Sequence, residues 1–185
     1  KTYVMSDGNL ETVYTASSEN NLMTRAATNE ANPATITSYS WTGGTMSEAS
    51  EHTIGMTKPS DKVIANRAYF DITLPSLPFN PRIKSARLEV TQKSANSINP
   101  TAIGLYRVKN SITLGSCDPG TVGFPIDYEI LRANETDTNN NNNPIPFVCS
   151  YDITTLIDDL YNGSSANKVS LVLKLIDEST YLNNC

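Results

Sequence analysis

His52 is the single histidine of the chain, so any nucleophile–base–acid arrangement that relies on imidazole has to run through it. Its neighbours Glu51 and Thr53 belong to no motif such as GxSxG, and an active His52 is not expected. Carboxylates are the other acid–base option. The close pairs are Glu48 with Glu51, Asp158 with Asp159, and Asp177 with Glu178. Glycosidase acids can come from any part of a chain, and pairs of this kind are ordinarily solvated charges on loops and helix faces. No glycine loop of the phosphate-cradling type is present. The chain is therefore not expected to be an enzyme.

For a hard cation, oxygen donors are what matter, and Asp118, Asp127 and Asp177 are the candidates, with Asp7, Asp71 and Asp152 behind them. None stands in a DxDxDG loop, so only composition speaks for calcium; Asp152 is better placed to cap a helix. No cofactor is expected, with a structural calcium left as the one option. Cys117, Cys149 and Cys185 have neither CxxC nor Cys/His spacing, which argues against zinc. A Cys117–Cys149 bridge would close the most irregular part of the chain and stabilise it by roughly 3–4 kcal/mol if unstrained. Unpaired thiols fit the sequence equally well.

For recognition rather than reaction, Tyr39, Trp41, Tyr14 and Tyr106 are the candidates, because flat rings stack on sugars and anchor protein interfaces. Tyr39 and Trp41 are two apart and would share one face of a strand. Their small, polar surroundings, SYSWTGG, favour exposure, whereas a lone tryptophan is ordinarily a core residue. Both placements are open at this level.

The elements that must position these side chains are mostly strands. In RAYFDITLPSLPFNPRIKSARLEV, residues 67–90, Phe70, Ile72 and Leu74 alternate with Tyr69, Asp71 and Thr73. After a break, Ala86, Leu88 and Val90 alternate with Arg87, Glu89 and Thr91, the period of two that buries one face. Pro75, Pro78 and Pro81 hold the connection extended and non-helical. Residues 103–108 read as a strand, and 169–176, VSLVLKLI, as a central strand packed on both faces. Between them, SYDITTLIDDLYNG places Leu156, Ile157, Leu160 and Tyr161 on one face of a short helix over 154–162, with Asp152 or Thr154 as cap and Gly163 as its stop. Residues 115–146, with their Asn run at 139–143, read as loop containing one strand at 126–131. Residues 1–63 read as short strands and an insertion-like polar stretch with a turn at Gly43-Gly44.

This length suits one domain, residues 1–185, on the large side for a sandwich. Charged residues are 18% of the chain and the formal net charge is −5, which argues against nucleic acid as a partner. No run of about 18 apolar residues suggests membrane insertion. The opening at Lys1 without a start methionine is expected of an excised or mature piece of a larger, multidomain chain.

Four blocks in order, NRAYFDITLPSLPFNPRIKSARLEV, IGLYRV, SYDITTLIDDLYNG and VSLVLKLIDEST, resemble the DNRLRE (disaggregatase-related) domain over roughly 64–179. The resemblance implies an all-β, jelly-roll-like β-sandwich with one short α-helix, carried by large secreted or surface-attached bacterial and archaeal proteins. The function it suggests is a non-catalytic extracellular binding module of a bacterial surface or secreted protein. Glycan binding through loops holding Tyr39 and Trp41 leads. An adhesin-type contact with a host surface or secreted protein, through a sheet face or exposed edge strand, is the alternative, and a spacer the third.

Overall fold

The computed structural model describes residues 12–17, 34–57, 63–77, 81–92, 101–115, 119–131, 147–163 and 166–178. The strands, in chain order, are β1 (Thr12–Ser17), β2 (Thr35–Thr42), β3 (Thr45–Glu48), β4 (Gly55–Thr57), β5 (Ile64–Thr73), β6 (Arg82–Gln92), β7 (Thr101–Val108), β8 (Thr121–Leu131) and β9 (Phe147–Asp152). Then follow the helix α1 (Thr154–Gly163) and the last strand, β10 (Lys168–Leu175).

Alternation in β5 and β6 sends Ala68, Phe70 and Ile72 of one strand and Ala86 and Leu88 of the other into a shared core. The two strands belong to different sheets. One sheet has three strands in the order β1-β6-β9; the other has seven, β3-β2-β5-β10-β7-β8, with β4 added to the start of β5. Every pairing among them is antiparallel. Ile103 and Leu105 of β7, Cys149 and Tyr151 of β9, and Leu171 and Leu173 of β10 complete the space between the sheets. The fold is an all-β sandwich with a single short helix, the class expected.

β10 lies between β5 and β7, as its near-continuous apolar run predicts, and Val172 is buried on the face opposite Leu171 and Leu173. The helix also falls where its spacing places it. Ile157 and Leu160 plug the core, each worth roughly 1.5–3 kcal/mol of burial. Asp152 Oδ1 accepts the Thr154 amide at 2.9 Å, while Thr154 Oγ1 accepts the Ala86 amide at 3.0 Å and so ties the helix start to β6. Asp158 Oδ1 accepts the Ile83 amide at 2.9 Å, a second tie to the same strand. Gly163 is the last helical residue rather than a stop beyond it, and Asn162 Nδ2 satisfies the Asp158 and Pro81 carbonyls nearby.

Gly43-Gly44 makes the expected turn, a hairpin between β2 and β3 with φ of 56° and 106°, conformations that favour glycine. Two expectations change. β8 is longer than residues 126–131, starting at Thr121, because its pairing with β7 jumps from Leu105↔Asp127 to Arg107↔Val122. Residues 123–126, with Gly123 at φ 61° and Pro125 unable to donate, are looped out of the ladder. The second change concerns β5, whose alternation predicts one buried face and which is instead buried on both, Tyr69 being 0% exposed.

The cause is the chain after β7, whose described residues 109–115 pack on the outer face of the seven-stranded sheet. Its start is held by Lys109 N–H donating to Gly120 O at 2.9 Å and by Asn110 donating to Pro119 O from its amide (3.1 Å) and side chain (2.8 Å). Its far end is fastened by Gly115 N–H to Met46 O at 2.9 Å, and Ile112 packs beneath it. A second small core of Trp41, Met46, Ala65, Tyr69, Tyr106, Val108 and Val172 results.

Candidate functional site

Three of the four aromatic candidates meet in that second core. Tyr39 and Trp41 lie on strand β2, not in loops, and point to the outer face of the large sheet, as does Tyr106 from β7. Cross-strand register lines up Tyr39, Tyr69, Val172 and Tyr106 in one row and Met46, Trp41 and Arg67 in the next. Tyr14 is on β1 in the other sheet, opposite Ala86, and its side chain lies outside the described residues.

Trp41 is fully buried and Tyr106 is 7% exposed; only Tyr39 keeps a half-buried ring. The Arg67 guanidinium lies 4.5 Å from the centre of the Trp41 ring. Its Nε and Nη2 grip the Glu178 carboxylate at 2.7–3.2 Å, and Nη1 donates to the Tyr69 hydroxyl at 3.4 Å. Lys174 Nζ lies 4.8 Å from the centre of the Tyr106 ring. Burial, and then the Glu178 charge, raise the Tyr106 pKa; burial, then Asp71 and Glu48, raise that of Tyr39. The Trp41 and Tyr106 rings are closed against solvent, so Trp41 has no face open for a sugar to stack on. Of the two placements the sequence leaves open for Trp41 the core one holds, and the reason is the segment after β7.

The acid–base candidates are placed as follows. His52 Nδ1 meets Ser40 Oγ at 2.9 Å, a nucleophile–base distance, but the ring is tucked edge-on against Phe70 and its Nε2 is buried without a hydrogen-bond partner. Among the described residues no carboxylate bonds to either member of this pair. Asp127, on β8, gives Oδ1 to the Tyr128 amide (2.8 Å) and Oδ2 to the Asp152 amide (2.6 Å), bridging the edges of the two sheets. A cavity of about 290 Å³ opens there, lined by Ile126, Asp127, Asp152 and the first turn of α1. Asp177 is exposed after β10, and Asp118 lies outside the described residues. Asp127 and Asp177 are thus not brought together, and among the described residues no group of three or more His, Cys, Asp or Glu converges as for a metal ion. Cys149 is buried in the main core; Cys117 and Cys185 lie outside the described residues, and no disulfide joins described residues.

Compared with family models, with curated proteins and with solved structures, the chain has no match in any of the three.

What the sequence reading passed over is the exposed apolar surface beside β8. Phe124 is 92% exposed at the looped-out segment, with Tyr128 at 58% and Ile130 at 55% along the strand. Tyr128 is opposite Gly104 and Ile130 opposite Ala102, so both face outward beside Tyr106. Pro125 and Ile176 lean over Gly104, where a Cβ would come within 3.2 Å of each. The exposed side chain of Ile176 thereby joins the same surface. The available signal was the spacing of Tyr128 and Ile130 after a Gly-Phe-Pro break.

Proposed function

We propose that this domain is a non-catalytic binding module of a larger bacterial surface or secreted protein, and that it holds a protein partner through the apolar row beside β8. The observation that carries the reading is Phe124, a phenyl ring almost wholly in solvent on a looped-out segment stiffened by Pro125. A ring held out in this way loses little freedom on docking, and Tyr128, Ile130 and Ile176 provide the apolar surround an anchor needs. The aliphatic share of the patch favours a protein over a sugar, whose hydroxyls call for convergent polar groups. The four blocks similar to the DNRLRE domain support the extracellular setting.

Glycan binding is the second reading, and what favours it is that Tyr128 and Phe124 are exposed rings able to stack. It no longer draws support from Trp41. Binding of the domain to immobilised mucin and serum glycoproteins, before and after periodate oxidation of their sugars, separates the two. Binding that survives oxidation and falls in Phe124→Ala supports the protein partner. Loss on oxidation would move the function to glycans, and no binding in either state would favour a spacer.

A further inference from the structure

We propose that residues 49–54 form an acid-released flap, held on the sandwich at neutral pH by the uncharged ring of His52. The segment follows β3 and folds back under the inner side of β2. Ala49 N–H donates to Ser38 O at 3.1 Å, Ser38 Oγ donates to Ala49 O at 2.6 Å, and Ser40 Oγ reaches Glu51 O at 3.4 Å. His52 then seats itself with Nδ1 on Ser40 Oγ and its ring at 87° to Phe70, 5.7 Å between centroids. Ile54 packs on the main core just beyond.

The seat accepts a neutral imidazole and has no place for a charged one. A neutral ring carries one N–H, and Ser40 Oγ can either accept it or donate to the bare nitrogen. An imidazolium carries two, and Nε2 has no partner where it is buried. The charged groups nearby do not compensate. Among the described residues, Glu51 is exposed on the flap itself; Glu48 is opposite Tyr39 and Asp71 of β5 follows Phe70, so both face the other side of the sheet, where Asp71 accepts the Ser170 hydroxyl. Ser40 and Phe70, the contacts from β2 and β5, are uncharged. Burial alone depresses the titration of the ring. Taking up a proton thus requires the ring to reach water, and the flap leaves with it. Release uncovers the side of Phe70 against which His52 lies, and takes Ile54 out of the main core with the flap. Acid would in this way add a strip of apolar surface to the module.

The test uses the intact domain, in which the one histidine gives a single imidazole NMR signal. The expected midpoint lies below the ordinary 6.5. Between those two values the protection of the Ala49 amide against hydrogen exchange, corrected for intrinsic rate, should fall about tenfold per pH unit, while the Phe70 amide keeps its protection. In His52→Gln the Ala49 amide should show no such pH dependence. An imidazole titrating at or above 6.5, or Ala49 protection that stays flat in the wild type or falls equally in the variant, overturns the proposal. Should the variant not fold, the wild-type curves decide the question alone: Ala49 protection that starts to fall near 6.5 as pH is lowered and levels off at the imidazole midpoint supports the proposal, and protection that falls over any other range overturns it.

Discussion

Arg67 and Glu178, 111 residues apart in the chain, form an ion pair whose side chains are only 2% and 6% exposed, with the guanidinium resting on Trp41. The pair pins the segment after β10 to the outer face of the large sheet. The same segment is also held by Ile176 N–H donating to Ala102 O at 3.2 Å and by the Ile176 side chain over Gly104.

Glu178→Gln should therefore be costly, because it leaves a buried guanidinium without its counter-charge, a loss of roughly 3–5 kcal/mol. Urea denaturation would measure it. The double variant Arg67→Met with Glu178→Leu should recover most of the loss, since replacing a buried pair by packed apolar side chains is often neutral. A single variant with an unchanged midpoint would show that the pair is solvated in solution.

Gly104→Ala should destabilise the domain by about 1–3 kcal/mol, the range for overpacking a well-filled site. The new methyl would lie 2.7 Å from the Tyr106 ring and 3.2 Å from both Ile176 and Pro125. The ring is almost wholly buried under Lys174 and has little room to yield. Thermal denaturation followed by tyrosine fluorescence reads both the stability and the local displacement.

Glu89 sets a pH dependence of opposite sign to that of His52. It is 4% exposed on β6, and one carboxylate oxygen has no partner. Burial raises its pKa, opposed by the Ser150 hydroxyl and Arg87. An acid titrating higher in the folded than in the unfolded state binds more protons when folded, so its cost appears as pH rises through the carboxylate range. Glu89→Gln should gain about 1 kcal/mol at neutral pH and nothing below about pH 4, where the wild-type group is protonated in both states. Urea midpoints at the two pH values test this.

Phe124→Ala should leave the denaturation midpoint almost unchanged, because a side chain already in solvent contributes little to folding. It should cost a protein partner tenfold or more in affinity, about 1.4 kcal/mol, if Phe124 is the anchor. Surface plasmon resonance of both proteins on a common partner surface provides the comparison. Equal affinities would remove Phe124 from the contact.

The elements were legible where local pattern and burial agree. The alternation in residues 67–90, the apolar run at 169–176 and the helical spacing at 154–162 are properties of neighbours along the chain, and they placed β5, β6, β10 and α1. Gly43-Gly44 placed a turn for the same reason, since two adjacent residues must adopt positive φ. The candidate site was legible only as a list of side chains. Tyr39, Trp41 and Tyr106 were named, but not the company they keep.

By itself, then, the sequence determined which strands form and which of their faces is apolar, because pleat and helix periods act over a few residues. Tertiary structure decided whether the other face meets water. Trp41 and Tyr69 are dry because the chain after β7 crosses over them and Gly115 fastens to Met46, and Arg67 finds its charge partner only because β10 lies beside β5. Phe124 is wet because the pairing of β7 and β8 skips residues 123–126. Burial of an outward side chain depends on segments distant in sequence, and a pattern of period two carries no information about them.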